Sequence, residues 1–295
     1  MQIKGAPDVG SAAWVEHLIR GYWATNPQNR LKTGSDEKAW DEPLVGFARA
    51  NHPLFGQLAK DLSPFYWTPA QAFQLAFPDS PEQAEDLCVI SWVLPQTAAT
   101  RADQGQVDKL PAERWARSRD FGERFNCALR LHIAATLTAA GYKSMAPERL
   151  AEFGIRRSDS IGIASNWSER HTAHIAGLGT FGLSDGLITP RGKAVRFGSV
   201  VARIDLPATQ HTYDNHHAWC LWYAKGTCGI CAQRCPADAI SGAGHDKDKC
   251  FDYIQRVTAP YAQKTFGTEA TPCGLCQVRV PCEERIPISS QPYGS

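Results

Sequence analysis

The uneven distribution of cysteine constrains this chain more than any other feature. Of the ten cysteines in 295 residues, only Cys88 and Cys127 precede position 220, and the other eight lie between Cys220 and Cys282. A chain of this length buries a sizeable core without cross-links, so its thiols are not needed for stability. Such crowding is typical of metal binding by reduced thiolates rather than of a disulfide framework. We expect Cys88 and Cys127, which lie apart, to be structural.

The eight clustered cysteines follow a defined spacing: Cys220-x7-Cys228-x2-Cys231-x3-Cys235-Pro236, then Cys250, then Cys273-x2-Cys276-x5-Cys282. Loops that turn every two or three residues can present several sulfur ligands to one iron–sulfur cube. In bacterial two-cluster ferredoxins, the cysteine that precedes proline crosses to the other cluster. This rule predicts two 4Fe-4S clusters. Their expected ligands are Cys220, Cys228, Cys231 and Cys282 for the first cluster and Cys235, Cys250, Cys273 and Cys276 for the second.

Two features of the spacing leave alternatives open. Paired CxxC sequences also occur in zinc ribbons, although Cys-x3-Cys-Pro is typical of cluster loops. Lys225 stands where the usual motif has its leading cysteine, and Cys220 is the nearest replacement. If Cys220 does not reach, the first cluster has three irons or takes another ligand. His216 and His217 lie just upstream, although an ordinary solvated loop also explains them.

Hydrophobic patterns before the cysteines indicate mixed helix and strand structure. Thr68-Pro69-Ala70-Gln71 is a capping box, so we expect a helix to begin there. Residues 87–94 form an apolar run rich in β-branched side chains, which indicates a buried strand. Residues 111–140 follow the helical period with Gly122 as a weak point, and residues 194–206 alternate like a strand.

Net charge and hydropathy argue against several classes of partner. Lys plus Arg number 31 and Asp plus Glu number 30, so no overall field attracts nucleic acid, and we expect no DNA partner. The first residues carry no apolar export segment, and no stretch approaches the roughly 18 uninterrupted apolar residues of a membrane helix. We therefore expect a cytoplasmic protein with no membrane partner.

A glycine-rich stretch before the cysteines carries a family resemblance. Ser168-Glu-Arg-His-Thr-Ala-His-Ile-Ala-Gly-Leu-Gly-Thr-Phe-Gly182, with Leu187-Ile-Thr-Pro190, Gly198-Ser-Val200 and the cysteine region, resembles the epoxyqueuosine reductase and reductive dehalogenase superfamily. The resemblance covers the chain from Arg119 to Pro287. It implies an α+β fold in which a nitroreductase-like α/β core, binding cobalamin with its lower base detached, is followed by a bacterial two-cluster ferredoxin-like domain.

This resemblance, together with the polar stretch that follows position 206, divides the chain into three parts. Residues 1–100 match neither subgroup of the superfamily, and we expect them to form an α/β region that shapes substrate access. Residues 101–206 form the nitroreductase-like core with its cobalamin site. Residues 207–295 form the ferredoxin-like domain with both clusters.

The resemblance also implies roles for individual residues. Arg119-Asp120-Phe121 is similar to the segment where epoxyqueuosine reductases hold an acidic proton donor, so Asp120 is the expected general acid. The alternative for Asp120 is a helix carboxylate paired with Arg117 or Arg124. The expected contacts of the corrin ring are Gly177, Leu178, Gly179 and Gly182. A helix C-cap followed by a turn also explains these glycines.

The resemblance implies a cobalamin-dependent iron–sulfur reductase. A low-potential donor, ferredoxin or flavodoxin, reduces the clusters, which pass electrons to cobalt for reduction of a small-molecule substrate. One alternative is a ferredoxin-like electron carrier or activating reductase for a partner protein, without cobalamin. Another keeps a flavin in the nitroreductase-like core. The chain stops soon after its last cysteines, without the helical extension that epoxyqueuosine reductases add for tRNA, so we do not expect a tRNA substrate.

Overall fold

The computed structural model describes residues 7–62, 65–80, 82–158 and 162–288. Residues 1–6, on which part of the export prediction rests, lie outside this range. The helices are α1 Ala12–Thr25, α2 Pro53–Asp61, α3 Pro69–Ala76, α4 Ala98–Gly105, α5 Glu113–Arg117, α6 Glu123–Ala139, α7 Glu169–Ile175, α8 Leu221–Lys225, α9 Ile230–Gln233, α10 Lys247–Tyr253 and α11 Ala259–Phe266. The strands are β1 Leu44–Arg49, β2 Cys88–Pro95, β3 Ser144–Met145, β4 Ile155–Ser158, β5 Gly162–Ser165, β6 Thr180–Phe181, β7 Leu187–Ile188, β8 Val195–Ala202, β9 Ile240–Ser241 and β10 Gly244–His245.

An antiparallel sheet of order β1-β2-β8-β3 forms the centre of the part of the chain before the cysteines. Every residue of β2 is buried, which confirms the expected strand at residues 87–94. In the register of β2 with β8, Cys88 lies opposite Ala202 and Ser91 opposite Ser199. Because β1 and β2 share this sheet with β8, the expected boundary at residue 100 falls between strands of one sheet.

Helices cover both faces of the sheet, so the fold has three layers. On one face α1 and α6 enclose a core that includes Trp40, Trp92 and Phe125. On the other face α3 and α7 enclose a second core that includes Phe73 and Trp167. The expected capping box is present at the start of α3, where the Thr68 and Gln71 side chains bond each other's main-chain N–H groups.

The helical run over the expected residues 111–140 is broken by a π-helical turn at Ser118–Gly122. The low helix propensity of Gly122 and the packing around it both account for the break. Trp40 Nε1 donates to the Gly122 carbonyl oxygen at 2.9 Å, and a Cβ on Gly122 would lie 2.8 Å from the Trp40 ring. Only glycine therefore allows the indole to approach the helix so closely.

The cysteine region consists of short helices and a β9–β10 hairpin, and it packs against the loop after α4. Gln104 Nε2 donates to the Cys273 carbonyl oxygen at 2.7 Å, and the Tyr253 hydroxyl donates to the Lys109 carbonyl oxygen at 2.7 Å. The structure thus has the mixed helix and sheet composition that was expected. In the described part of the chain, no helix is both long enough and apolar enough for a membrane crossing.

Candidate functional site

Four of the clustered cysteines line one pocket: Cys220, Cys228, Cys231 and Cys282. Cys220 caps the start of α8 and Cys231 lies in α9. Cys228 adopts a left-handed backbone with φ of 81°, which turns the chain between them. Apolar side chains that include Leu183, Ile188, Trp222 and Val280 form much of the remaining wall. The pocket therefore combines sulfur donors with largely apolar walls.

The thiols in this pocket are close enough to oppose one another's ionisation. The pKa of Cys282 is raised to about 11. Burial is the main cause, the neighbouring thiolates of Cys231, Cys220 and Cys228 add to the rise, and Lys193 acts against it. Burial also raises the pKa of Cys231, and Lys193 acts against this shift. Four thiolates can coexist here only with more positive charge than Lys193 supplies, which is what bound iron provides.

A second group comprises Cys235, Cys250, Cys273 and Cys276. The pKa of Cys250 is raised to about 12, mainly by burial and in addition by Cys276 and Cys235. The pKa of Cys273 is also raised to about 12, by burial first and then by its three partners. Cys273 and Cys276 flank Gly274, whose φ of 68° and close approach to the Trp115 indole exclude a side chain.

The two groups contain the same members as the two ligand sets expected from the spacing. All eight thiols are free, as are those of Cys88 and Cys127. Within the described ranges, no three or more His, Cys, Asp or Glu side chains form a site for a single metal ion. In a cubane, each thiolate binds a different iron, so its four sulfur ligands lie farther apart than ligands of one ion. Iron ligation itself stays a prediction.

The other residues considered near the first thiol group do not take the place of Cys220. Lys225 is exposed to solvent. The His217 ring nitrogen Nδ1 lies 2.9 Å from the Phe181 carbonyl oxygen, and the ring stacks on Tyr223 and contacts His216. Cys220, in contrast, lines the pocket, so the structure brings the unusually spaced cysteine to the other three.

Lys193 neighbours thiols of both groups, and no periodicity or motif marks it in the sequence. Its side chain lines the first pocket, and the residue is 3% exposed. Its Nζ donates to Ser184 Oγ at 3.0 Å. Burial acts to lower the pKa of Lys193, but Cys282, Cys276, Cys231 and Cys220 outweigh it and raise the pKa. Because Cys276 belongs to the second group, Lys193 is a charged neighbour of both.

A buried ion network, also missed from the sequence, lies between α6, α7 and β8. Arg130 is 1% exposed and pairs with Glu123 at 3.0 Å, with Glu169 at 3.3 Å and with Glu148. Burial acts to raise the pKa of Glu123, but Arg196, Arg130 and Arg119 outweigh it and lower the pKa to about 2. Glu123 is therefore a fixed carboxylate.

Glu169 differs from Glu123 in this network. Burial raises the pKa of Glu169 to about 7, since Arg130 offsets the burial only in part. Its Oε2 has no hydrogen-bond partner among the described residues. The next residue on α7 is Arg170, whose pKa burial lowers, while the thiolates of Cys250 and Cys276 act to raise it. Glu169 can therefore hold a proton near neutral pH within this buried network.

Asp120 has the contacts of a structural carboxylate. Its Oδ1 accepts from Arg124 Nε at 2.7 Å and its Oδ2 accepts from the Glu269 main-chain N–H at 2.8 Å. The residue is 6% exposed and ties the π-helical turn to the cysteine region. These contacts favour the alternative that the sequence left open, a helix carboxylate paired with Arg124, over a free proton donor.

The expected corrin contacts lie in a tight turn that packs against protein. Gly177 has a φ of 76° and follows α7, and the Leu178 N–H donates to the Ala173 carbonyl oxygen at 2.9 Å, as in a Schellman cap. A Cβ on Gly177 would lie 3.1 Å from Thr209 Cγ2. Gly179 is packed against the Ile188 carbonyl oxygen, and Leu178, Gly179 and Gly182 are buried. The helix cap explains these residues without a ligand.

Comparison with known proteins gives structural likeness only. No family model and no curated sequence matches the chain. A reductive dehalogenase whose structure suggests a mechanism for B12-dependent dehalogenation matches with a TM-score of 0.52 and 16% identity, over 93% of this chain and 32% of that one. A catabolic reductive dehalogenase in complex with 3-bromo-4-hydroxybenzoic acid matches with a TM-score of 0.52 and 16% identity, over 92% and 37%.

An epoxyqueuosine reductase bound to a modified tRNA stem loop matches with a TM-score of 0.44 and 16% identity, over 81% of this chain and 61% of that one. The chain thus spans about a third of the length of the reductive dehalogenases and about three fifths of that of the epoxyqueuosine reductase. The predicted likeness is therefore confirmed at the level of fold: the chain shares the fold of the reductive dehalogenase structures.

Proposed function

We propose that the chain is an iron–sulfur oxidoreductase, with a nitroreductase-like core followed by a ferredoxin-like domain that holds two 4Fe-4S clusters. The observation that carries this proposal is the separation of the eight clustered thiols into two groups of four. The donor set fits iron–sulfur clusters because it consists of free thiols, all but Cys228 buried or half-buried, with largely apolar walls in the first pocket. When bound, the clusters supply one-electron transfer.

The positions of the two groups support a direction for electron flow. Cys228 of the first group is exposed, so an external donor can approach that group closely. The second group lies against the core, where Gln104 bonds the Cys273 carbonyl oxygen. We propose that a low-potential donor, ferredoxin or flavodoxin, reduces the chain at the first group. The second group then faces the acceptor, a small molecule bound in the core.

Reduction of most organic substrates consumes protons as well as electrons, and the ion network offers a source for them. Glu169 holds a proton near neutral pH within the buried ion network around Arg130. Asp120 has both oxygens engaged by Arg124 and Glu269. We therefore propose Glu169 as the proton donor in preference to Asp120.

The shared fold suggests cobalamin as a cofactor, because one reductive dehalogenase of that fold is linked to B12-dependent dehalogenation. The residues expected to contact a corrin do not fit it, because the side chains of Thr209 and His211 cover Gly177, and Ile188 covers Gly179. The closed turn favours the second candidate function, an electron carrier or activating reductase that delivers electrons to a partner protein.

Anaerobic reconstitution separates these functions. We expect about eight iron and eight sulfide per chain, with a broad visible absorption and an EPR signal after reduction. Titration with cobalamin then distinguishes the two functions: a saturable spectral change supports the cobalamin-dependent reductase, and no change supports the carrier. Two zinc per chain without iron would contradict both.

A further inference from the structure

We propose that Lys193 is a fixed positive charge shared by the two clusters, and that it raises their reduction potentials so that a low-potential donor can reduce them. This inference rests on the proposed function. Each cluster gains one electron from an external low-potential one-electron donor, and its net charge becomes more negative by one unit. A cation held nearby favours that reduced state.

The position of Lys193 is unusual for a lysine. It is 3% exposed, and its recorded side-chain hydrogen bond goes to a neutral group, Ser184 Oγ, at 3.0 Å. Among the described residues, no carboxylate forms an ion pair with Lys193. A buried ammonium group without an anionic partner is strongly disfavoured. The groups that face it are the thiols of Cys282, Cys276, Cys231 and Cys220, which become anionic when they bind iron.

These four thiols come from both groups, which makes Lys193 a shared neighbour. Cys220, Cys231 and Cys282 belong to the first group and Cys276 to the second. Two other cations near the second group have carboxylates as neighbours: Asp185 lies near Arg170, which also donates to the Asp185 main-chain carbonyl, and Arg234 pairs with Asp108. Lys193 is thus the cation whose positive charge the clusters themselves would balance.

The main chain fixes this position. The Lys193 N–H donates to the Cys282 carbonyl oxygen at 2.9 Å, and the Ala194 N–H donates to the Glu283 carbonyl oxygen at 3.2 Å. The segment before β8 is therefore joined to the loop that supplies the last thiol of the first group. Any movement of Cys282 carries the lysine backbone with it, so the distance between charge and cluster is preserved.

The test compares Lys193→Met, Lys193→Gln and Lys193→Arg with Lys225→Met, a control at an exposed lysine near the first group. Iron and sulfide content is measured first, and both midpoint potentials are then followed by EPR in a redox titration. We expect Lys193→Met and Lys193→Gln to keep both clusters and to shift the midpoints to more negative values. At a fixed donor potential, the ratio of reduced to oxidised cluster should fall by roughly tenfold. Lys193→Arg should restore most of the shift, and Lys225→Met should show none.

Several outcomes would overturn the inference. One is an unchanged midpoint in both neutral variants that retain full iron. Another is loss of the clusters from Lys193→Arg as well as from both neutral variants, because the lysine then only fills space. If the neutral variants lose their clusters but Lys193→Arg retains them, the result supports a need for positive charge at this position. Absence of iron and sulfide from the unsubstituted protein contradicts the proposed function itself, so the two failures are distinguishable.

Discussion

Gly192 lies directly against the main chain of Glu283, so closely that a Cβ at position 192 would fall far inside contact distance of the Glu283 carbonyl oxygen. Backbone atoms cannot swing away as the end of a flexible side chain can. Gly192 also has a φ of 75°, which disfavours any other residue. This close approach permits the hydrogen bond from Lys193 to Cys282 and so joins the sheet to the first thiol group.

We predict that Gly192→Ala separates these segments. The substitution should lower the free energy of unfolding by about 2 kcal/mol or more, because it adds a steric clash to the roughly 1 kcal/mol cost of a left-handed alanine. It should also reduce the iron content of the first cluster. Gly267→Ala is the matched control, since Gly267 has a φ of 66° and nothing within 4 Å of a Cβ. Equal destabilisation of the two variants in urea titrations would contradict the prediction.

We predict that Cys220 is required for the first cluster despite its distance from Cys228 in the sequence. The thiol lines the pocket with three others, and Lys225 does not replace it because that side chain is exposed. Cys220→Ala should therefore lose or convert one cluster, and iron should fall from about eight toward four per chain. The second cluster should keep its EPR signal.

Cys88→Ala and Cys127→Ala are the controls for this measurement. Cys88 is buried in β2 and Cys127 lies on α6, and neither lines the thiol pocket. Both variants should keep the full iron content. Two complete clusters in Cys220→Ala would show that another group closes the first site.

Local patterns predicted the parts of the fold that depend on neighbours in sequence. The capping box at Thr68, the buried strand β2 and the weak point at Gly122 are all confirmed, because each is decided within a few residues. The structure also brings Cys220, Cys228, Cys231 and Cys282 to one pocket, and the two ligand sets stay a prediction.

Contacts between distant segments were not predictable in this way. Lys193 reads as an ordinary polar residue ahead of a strand, and its burial depends on the return of the chain at Cys282. The pairing of Arg130 with Glu148 and Glu169 likewise joins separate elements. The glycine turn after α7 suggested a ligand because its nearest cover, Thr209 and His211, comes from a later segment.

We predict that Asp120 contributes mainly to stability. Asp120→Asn removes the charge that pairs with Arg124 at 2.7 Å in a site that is 6% exposed, so the free energy of unfolding should fall by about 1.5–3 kcal/mol. Asp252→Asn is the control, because Asp252 pairs with Arg256 at the same helical spacing but at 3.6 Å and with a side chain that is 62% exposed. That variant should lose less than about 1 kcal/mol. Similar losses in the two variants would argue against a structural role for Asp120.

We predict that Glu169 is the carboxyl group that titrates near neutral pH. Burial raises its pKa from the ordinary 4.5 to about 7, so Glu169 should be protonated at about pH 6. An infrared difference spectrum between unsubstituted protein and Glu169→Gln should show a protonated carboxylic acid band at that pH, and the band should disappear as the pH rises through about 7.

The same titration has a signature in stability. Because the native protein binds this proton more tightly than the unfolded chain does, the contribution of Glu169 is fully present below pH 4.5 and is lost as the pH rises through about 7. Glu169→Gln cannot ionise and should lack this part of the pH dependence in urea titrations. If the unsubstituted protein and the variant show parallel pH profiles and no difference band, Glu169 is ionised in the native protein and its proposed role as proton donor is wrong.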